Sequence, residues 1–384
     1  MSVKIDSLLK KAFDMKASDL HIKAGSKPII RTSGNLTSME DEKRITAEDS
    51  SDIAMYIMND KQKEEFRRNK DIDIAYSIPG YGRFRCNCYV QRGSVSIVFR
   101  VIPMTILEFE ELHLPPILKK IAMEPRGLIL VTGTTGSGKS TTLASIIDYI
   151  NAHKTQNVIT IEDPIEYLHK DKNSIVSQRE VGNDTGTFSN ALRAAMRQDP
   201  DVILVGEMRD FETIKTALIA AETGHLVLST LHTVDAVETI NRIISVFPPY
   251  QHKQIRTQLA SVLRAIVSMR LVPKAEDEGM VPAVEVLIAT ETIKGCIDEA
   301  EKTKQIPDFI AEGVSQYGMQ TFDQSLLDLY NEGFITYEAA ISRATHPDDF
   351  ALRVKGVQTT KDLWGPAGDI SDDTDGPDIE RYTY

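Results

Sequence analysis

The stretch LILVTGTTGSGKSTT, residues 128–142, decides how the rest of the chain is read. Leu128 to Thr132 are apolar or β-branched and read as a buried strand, and Gly133 to Lys139 supply the glycines that let backbone N–H groups converge on an anion. Ser140 then starts a helix. The spacing from Gly133 through Gly138, Lys139 and Ser140 fits the full P-loop pattern, in which a lysine reaches the terminal phosphates and a hydroxyl holds magnesium. Thr134, Thr135, Gly136, Ser137, Gly138, Lys139, Ser140 and Thr141 are thus the expected nucleotide-binding residues, with ATP and Mg2+ as the expected ligands.

At 384 residues, 41% hydrophobic and 26% charged, the chain has room for two or three domains and the composition of a globular protein. No run approaches the roughly 18 apolar residues of a membrane span, and the opening MSVKIDSLLKKAFDM lacks a signal peptide's apolar core, so a cytosolic location is expected. Cys86, Cys88 and Cys296 give neither a disulfide framework nor a CxxC zinc pair. A net charge of -12 argues against a general electrostatic grip on nucleic acid.

Outward from the P-loop the pattern divides. Residues 3–17 alternate at helical spacing, SDLHI turns to the two-residue period of a strand, and PIIRTSG and LTSM continue it. A helix is expected over about 47–67, then antiparallel strands at DIDIAYSIP, GRFRCNCYVQRG and SVSIVFRVIP. This gives an amino-terminal α+β domain over 1–112, and the double proline of LHLPPILKK marks a linker at 113–125. From 126 to 290 compact apolar strands (GLILVTG, NVITIEDP, DVILVGEMRD, HLVLSTLHT) alternate with helices such as 187–198 and 211–223, the signature of an α/β P-loop core with a parallel sheet. A long helix is expected from Tyr250 to Met269, a strand at PAVEVLIAT, helices over 291–355, and an acidic, mobile tail over 356–384, docking through Trp364 being the alternative.

Phosphoryl transfer to water also needs a group that orients the water. Glu207 stands just past the carboxyl end of the strand Val202–Val205, where ligands of such sheets bind; the alternative is a helix cap. TIEDPIEY offers Glu162, then Asp163, for a water or metal role, against the alternative of an exposed acidic turn. His232, at the carboxyl end of HLVLSTLHT, is the better phosphate sensor of the pair His225 and His232. Arg83, Arg85, Arg92 and Arg100 lie upstream, where domain packing would make some of them fingers and its absence would leave a solvated basic face.

In this order, ASDLHIKAG, GRFRCNCYVQRGSVSIVFR, GTTGSGKST, TIEDPIEY, DPDVILVGEMRDFET, GHLVLSTLHTVDA and GMQTFDQSLLDLY resemble the hexameric secretion ATPases, and among them the type IV pilus retraction ATPases of the PilT and PilU kind, over residues 1 to about 355. The resemblance implies a RecA-like core with a PAS-like amino-terminal domain and carboxyl-terminal helices. It implies Glu207 as catalytic glutamate, Glu162 as the acidic-box residue, His232 as the chief histidine, and Arg85 and Arg100 as arginines offered from the amino-terminal domain. It further implies a homo-hexamer at the inner face of the cytoplasmic membrane, working on an inner-membrane pilus platform protein, with a paralogous pilus ATPase as a further partner. The lack of a CxxC module favours the retraction branch, while ETIKGCIDEAEKTKQIPDFI stands where an AIRNLIRE helix is usual. The competing functions are a nucleic-acid translocase and a non-hydrolytic regulatory ring.

Overall fold

The computed structural model describes residues 4–32, 34–102, 105–276 and 279–355; the tail and Trp364 lie outside the described residues. Two sheets organise it. The first, in the order β3-β2-β1-β6-β5-β4, is antiparallel throughout and comprises β1 (Asp19–Lys23), β2 (Ile29–Thr32), β3 (Asn35–Ser38), β4 (Asp71–Ile78), β5 (Gly82–Gln91) and β6 (Ser94–Ile102). Alternation puts Phe84, Cys86 and Cys88 of β5 on the buried face, where α1 (Ile5–Asp14), α2 (Ala47–Ile57) and α3 (Asp60–Asn69) close the core. The single helix expected over 47–67 is two. Met58 is extended, and Asn59 starts the second with a reciprocal capping box to Gln62, which favours a fresh start over continuation.

The second sheet has the order β13-β12-β7-β11-β10-β8-β9. Its strands are β7 (Gly127–Thr132), β8 (Asn157–Glu162), β9 (Ile175–Glu180), β10 (Val202–Val205), β11 (Leu226–Leu231), β12 (Leu263–Pro273) and β13 (Met280–Ile288). All pairings are parallel except that of β12 with β13. Every residue of β7, β10 and β11 is buried, because helices cover both faces. Each aliphatic side chain sealed in this way stabilises by about 1.5–3 kcal/mol. On one face lies α4 (Ile117–Ala122) with α5 (Lys139–His153). On the other lie α6 (Phe188–Ala195), α7 (Phe211–Glu222), α8 (Ala236–Ser245), α9 (His252–Val262) and α10 (Glu291–Asp298). The double-proline segment thus leads straight into buried structure, since Leu118 and Ile121 belong to the same cluster as β7.

The helix expected from Tyr250 to Met269 ends at Val262. From Leu263 the chain is β12, seated between β7 and β13, with Ala265, Ile266, Val267 and Met269 buried. A strand covered on both faces has no polar side, so its apolar run satisfies helical spacing equally well, and the tertiary slot decides. Toward the carboxyl terminus follow α11 (Ile306–Glu312), α12 (Val314–Tyr317), α13 (Phe322–Asn331), α14 (Tyr337–Ile341) and α15 (Pro347–Val354). The last three pack on the outer ends of β12 and β13 through Val272, Val281, Phe322, Leu326 and Phe350.

Candidate active site: the P-loop cleft

The carboxyl ends of β7, β8, β10 and β11 open into a cleft of about 590 Å³. The P-loop turns out of β7 at Gly133, whose φ of 143° and contacts exclude a side chain: an added Cβ would meet Ser137 Oγ at 2.4 Å and Met269 O at 2.5 Å. Gly138, also in the left-handed region, precedes the first turn of α5. Lys139 is buried and donates from Nζ to Gly133 O and Thr134 O, both at 2.9 Å, and burial lowers its pKa. Thr135, Gly136, Gly138, Lys139, Ser140 and Thr141 line this cleft, whereas Thr134 and Ser137 face a neighbouring hollow of about 300 Å³ beside Arg270 and Arg343.

Opposite the loop, Glu207 follows β10 and is fixed by its neighbours. Ser229 donates to Val205 O and Thr230 to Gly206 O, both at 2.6 Å, so β11 holds the turn that carries the carboxylate. Glu207 Oε1 lies 2.6 Å from Arg209 Nε and 3.4 Å from His232 Nε2. Burial pushes the Glu207 carboxyl up, but the Arg209 guanidinium and His232 outweigh it and leave it below the usual carboxylate range. Glu162, at the end of β8, accepts from Thr160 Oγ1 at 2.6 Å and from Gln178 Nε2 at 3.1 Å, and burial raises its pKa. Glu162, Asp163, Glu207 and His232 therefore share one cleft. His225 sits at the far end of β11, bonded to Ala220 O at 2.9 Å.

The arginines fall differently. Arg85 and Arg100 are cross-strand partners on β5 and β6, and two like charges set opposite each other need carboxylates nearby. Arg85 Nε lies 3.8 Å from Asp73 and Arg100 Nε 2.9 Å from Asp19, and neither lines the cleft of its own chain. Arg92 takes the left-handed turn between β5 and β6. The arginine that reaches the parallel-sheet half is Arg83, paired with Glu180 at 2.7 Å. Arg209, Tyr167 and His169 also line the cleft, though their spacing in the sequence does not mark them for it. Tyr167 meets Thr141 Oγ1 at 2.8 Å, and burial takes the His169 pKa down to about 4, which keeps that imidazole neutral. The acidic-box spelling TIEDPIEY contained Tyr167, but nothing in it signalled contact with α5.

The cleft suits a chain of phosphates. The buried lysine donates to loop carbonyls that phosphate oxygens can replace, and space around Gly136 is open. Ser140, with Glu207 and Glu162 across the cleft, supplies oxygen donors of the kind magnesium takes.

A strand–P-loop–helix unit facing a glutamate at the end of the adjacent-but-one strand defines the P-loop ATPases. Residues 2–318 match the family described as Type II/IV secretion system protein, and the chain belongs to it. It is 45% identical over 351 residues to the type IV pilus retractation ATPase PilT of Pseudomonas aeruginosa, covering 90% of this chain and 99% of that one. It is 40% identical over 353 residues to the type IV pilus ATPase PilU of the same organism, covering 92% of each. Among solved structures, the pilus retraction motor PilT with bound ADP superposes with a TM-score of 0.83 at 46% identity, over 90% of this chain and 98% of that one.

Proposed function

We propose that the chain is an ATP-hydrolysing motor subunit that drives type IV pilus retraction, assembled as a homo-hexameric ring at the cytoplasmic face of the inner membrane and acting on a platform protein there. The observation that carries this reading is the convergence of Lys139 and Glu207 on one cleft, with Glu162 and His232 beside them. The names of the relatives supply the retraction; among the described residues no helix is long and apolar enough to cross a membrane, so contact with the membrane falls to a partner.

In this reading Lys139 exchanges the carbonyls of Gly133 and Thr134 for the terminal phosphates of ATP, and Thr135 to Thr141 wrap the phosphate chain with backbone N–H groups. Ser140 would hold magnesium, which would supply charge neutralisation at those phosphates. Glu207, ionised at neutral pH, accepts a hydrogen bond from the attacking water once Arg209 releases it, and His232, which reaches the same Oε1, steadies the carboxylate after that release. The test is phosphate release by the full-length chain. Glu207→Gln keeps the shape and removes the charge, so it binds ATP yet turns over on the order of a hundredfold more slowly. Unchanged turnover would remove Glu207 from the chemistry, and stimulation of turnover by duplex DNA would favour a translocase.

A further inference from the structure

Glu180 ends β9 in register with Glu162, and its side chain is 3% exposed. We propose that Arg83 is a positioning residue: by ion pairing with Glu180 it sets the acidic-box loop, residues 163–169, and so makes the placement of the amino-terminal sheet felt at the nucleotide cleft.

The bonds run without a gap. Glu180 Oε2 accepts from Arg83 at 2.7 Å and from the Ile165 backbone N–H at 3.1 Å, and Oε1 accepts from Asn183 Nδ2. Ile165 is buried between Pro164 and Glu166, both of which line the cleft. Two residues earlier on β9, Gln178 holds the other end of the loop, donating to Tyr167 O at 2.8 Å and accepting from His169 N at 2.9 Å, while its amide also reaches Glu162. Gln178 and Glu180 thus bracket the loop, and among the described residues the ion pair of that bracket is with Arg83. Arg83 is itself 18% exposed, with Nε buried and unpartnered, so both charges of the pair are largely dry. Removing one partner from such a pair leaves the other uncompensated, and the carboxylate then moves, carrying Ile165 with it. A second contact, from Gln62 of α3 to Asn183 at 3.2 Å, ties the same turn to the amino-terminal half.

The role rests on the ATPase reading only for its kinetic consequence, and the test separates the two. In the nucleotide-free full-length chain, hydrogen–deuterium exchange of peptides covering 163–169 should quicken on the order of tenfold in Arg83→Ala and less in Arg83→Lys, which keeps the charge but not the fork. In phosphate release, Arg83→Ala should lower kcat on the order of tenfold and shift the KM for ATP by less than about twofold. Glu180→Gln should behave likewise, and the double variant should be no worse than either single one, because both act through one contact. Unchanged exchange at 163–169 in Arg83→Ala overturns the proposal whether or not the chain hydrolyses ATP. So does a double variant whose losses add.

Discussion

At the level of single residues the cleft is governed by which partner each charged group holds. Glu207 is claimed by Arg209 at 2.6 Å, and Arg209 is 75% exposed, so this contact is easily surrendered. The guanidinium still lowers the pKa of the carboxyl it touches. Arg209→Ala should therefore move the acid limb of the pH profile of kcat upward. Phosphate release followed from pH 4 to 8 would show it, and an unmoved limb would mean that Glu207 does not govern that limb. Glu207, Glu162 and His232 were legible because each stands at the carboxyl end of an apolar run, a place the parallel sheet reserves for ligands. Arg209 was not, and Arg83 stood only as one of four candidate arginines without a partner, since an arginine's reach depends on which carboxylate the fold brings up to it, and spacing along the chain carries no such information.

At the level of elements, strands that read clearly are those bounded by turn residues, such as β7, β10 and β11; β9 and β12 escaped. β9 spells IVSQRE, whose polar half is explained only by the loop it brackets, and β12 begins directly where α9 stops. β12 and β13 carry a buried relay. Thr132 Oγ1 at the end of β7 donates to Ser268 Oγ at 3.1 Å, Ser268 donates to Glu285 Oε1 at 3.2 Å, and Glu285 also accepts from the Ala236 N–H at 2.8 Å. It joins the strand before the P-loop to the helix after His232. Burial pushes the Glu285 carboxyl up to about 7; the Ala236 N–H, Ser268 and Arg270 pull it down, and Asp235 adds to the rise. An ordinary glutamate ionises near 4.5, so between that pH and about 7 the folded chain keeps a proton that the unfolded chain releases. The stability this group contributes is full below the window and lost as pH rises through it. Relative to Glu285→Gln, the native chain should lose up to about 3 kcal/mol between pH 5 and pH 8. Denaturant midpoints of both chains at the two pH values test this, and an equal difference at both would refute it.

At the level of the whole molecule, the question is whose cleft the amino-terminal arginines serve. Arg83 and Arg85 point to the same side of β5, roughly 7 Å apart along the strand, and Arg83 already grips the acidic-box side of its own chain. If the face bearing Arg85 and Arg100 serves its own core, a closing motion within one chain would bring it to the phosphates. Rings mixed from Lys139→Ala and Arg100→Ala subunits should then regain no phosphate release, because every subunit lacks half a site. Recovery toward a quarter or more of native turnover, on the order expected if complete sites form at mixed interfaces, would assign the arginine to the neighbour instead.

Cys86 and Cys88 lie in the core of the antiparallel sheet and Cys296 in that of the parallel one; burial drives the Cys88 thiol up to about 12 and raises the other two as well. For spectroscopy this is a convenience. Maleimide dyes react with accessible thiolate, of which the native chain offers little. A single cysteine introduced on the exposed flank of α3 and another near Tyr250, itself 82% exposed, can carry a donor and acceptor without first stripping out the native thiols, and so report the distance between the two halves as nucleotide is added.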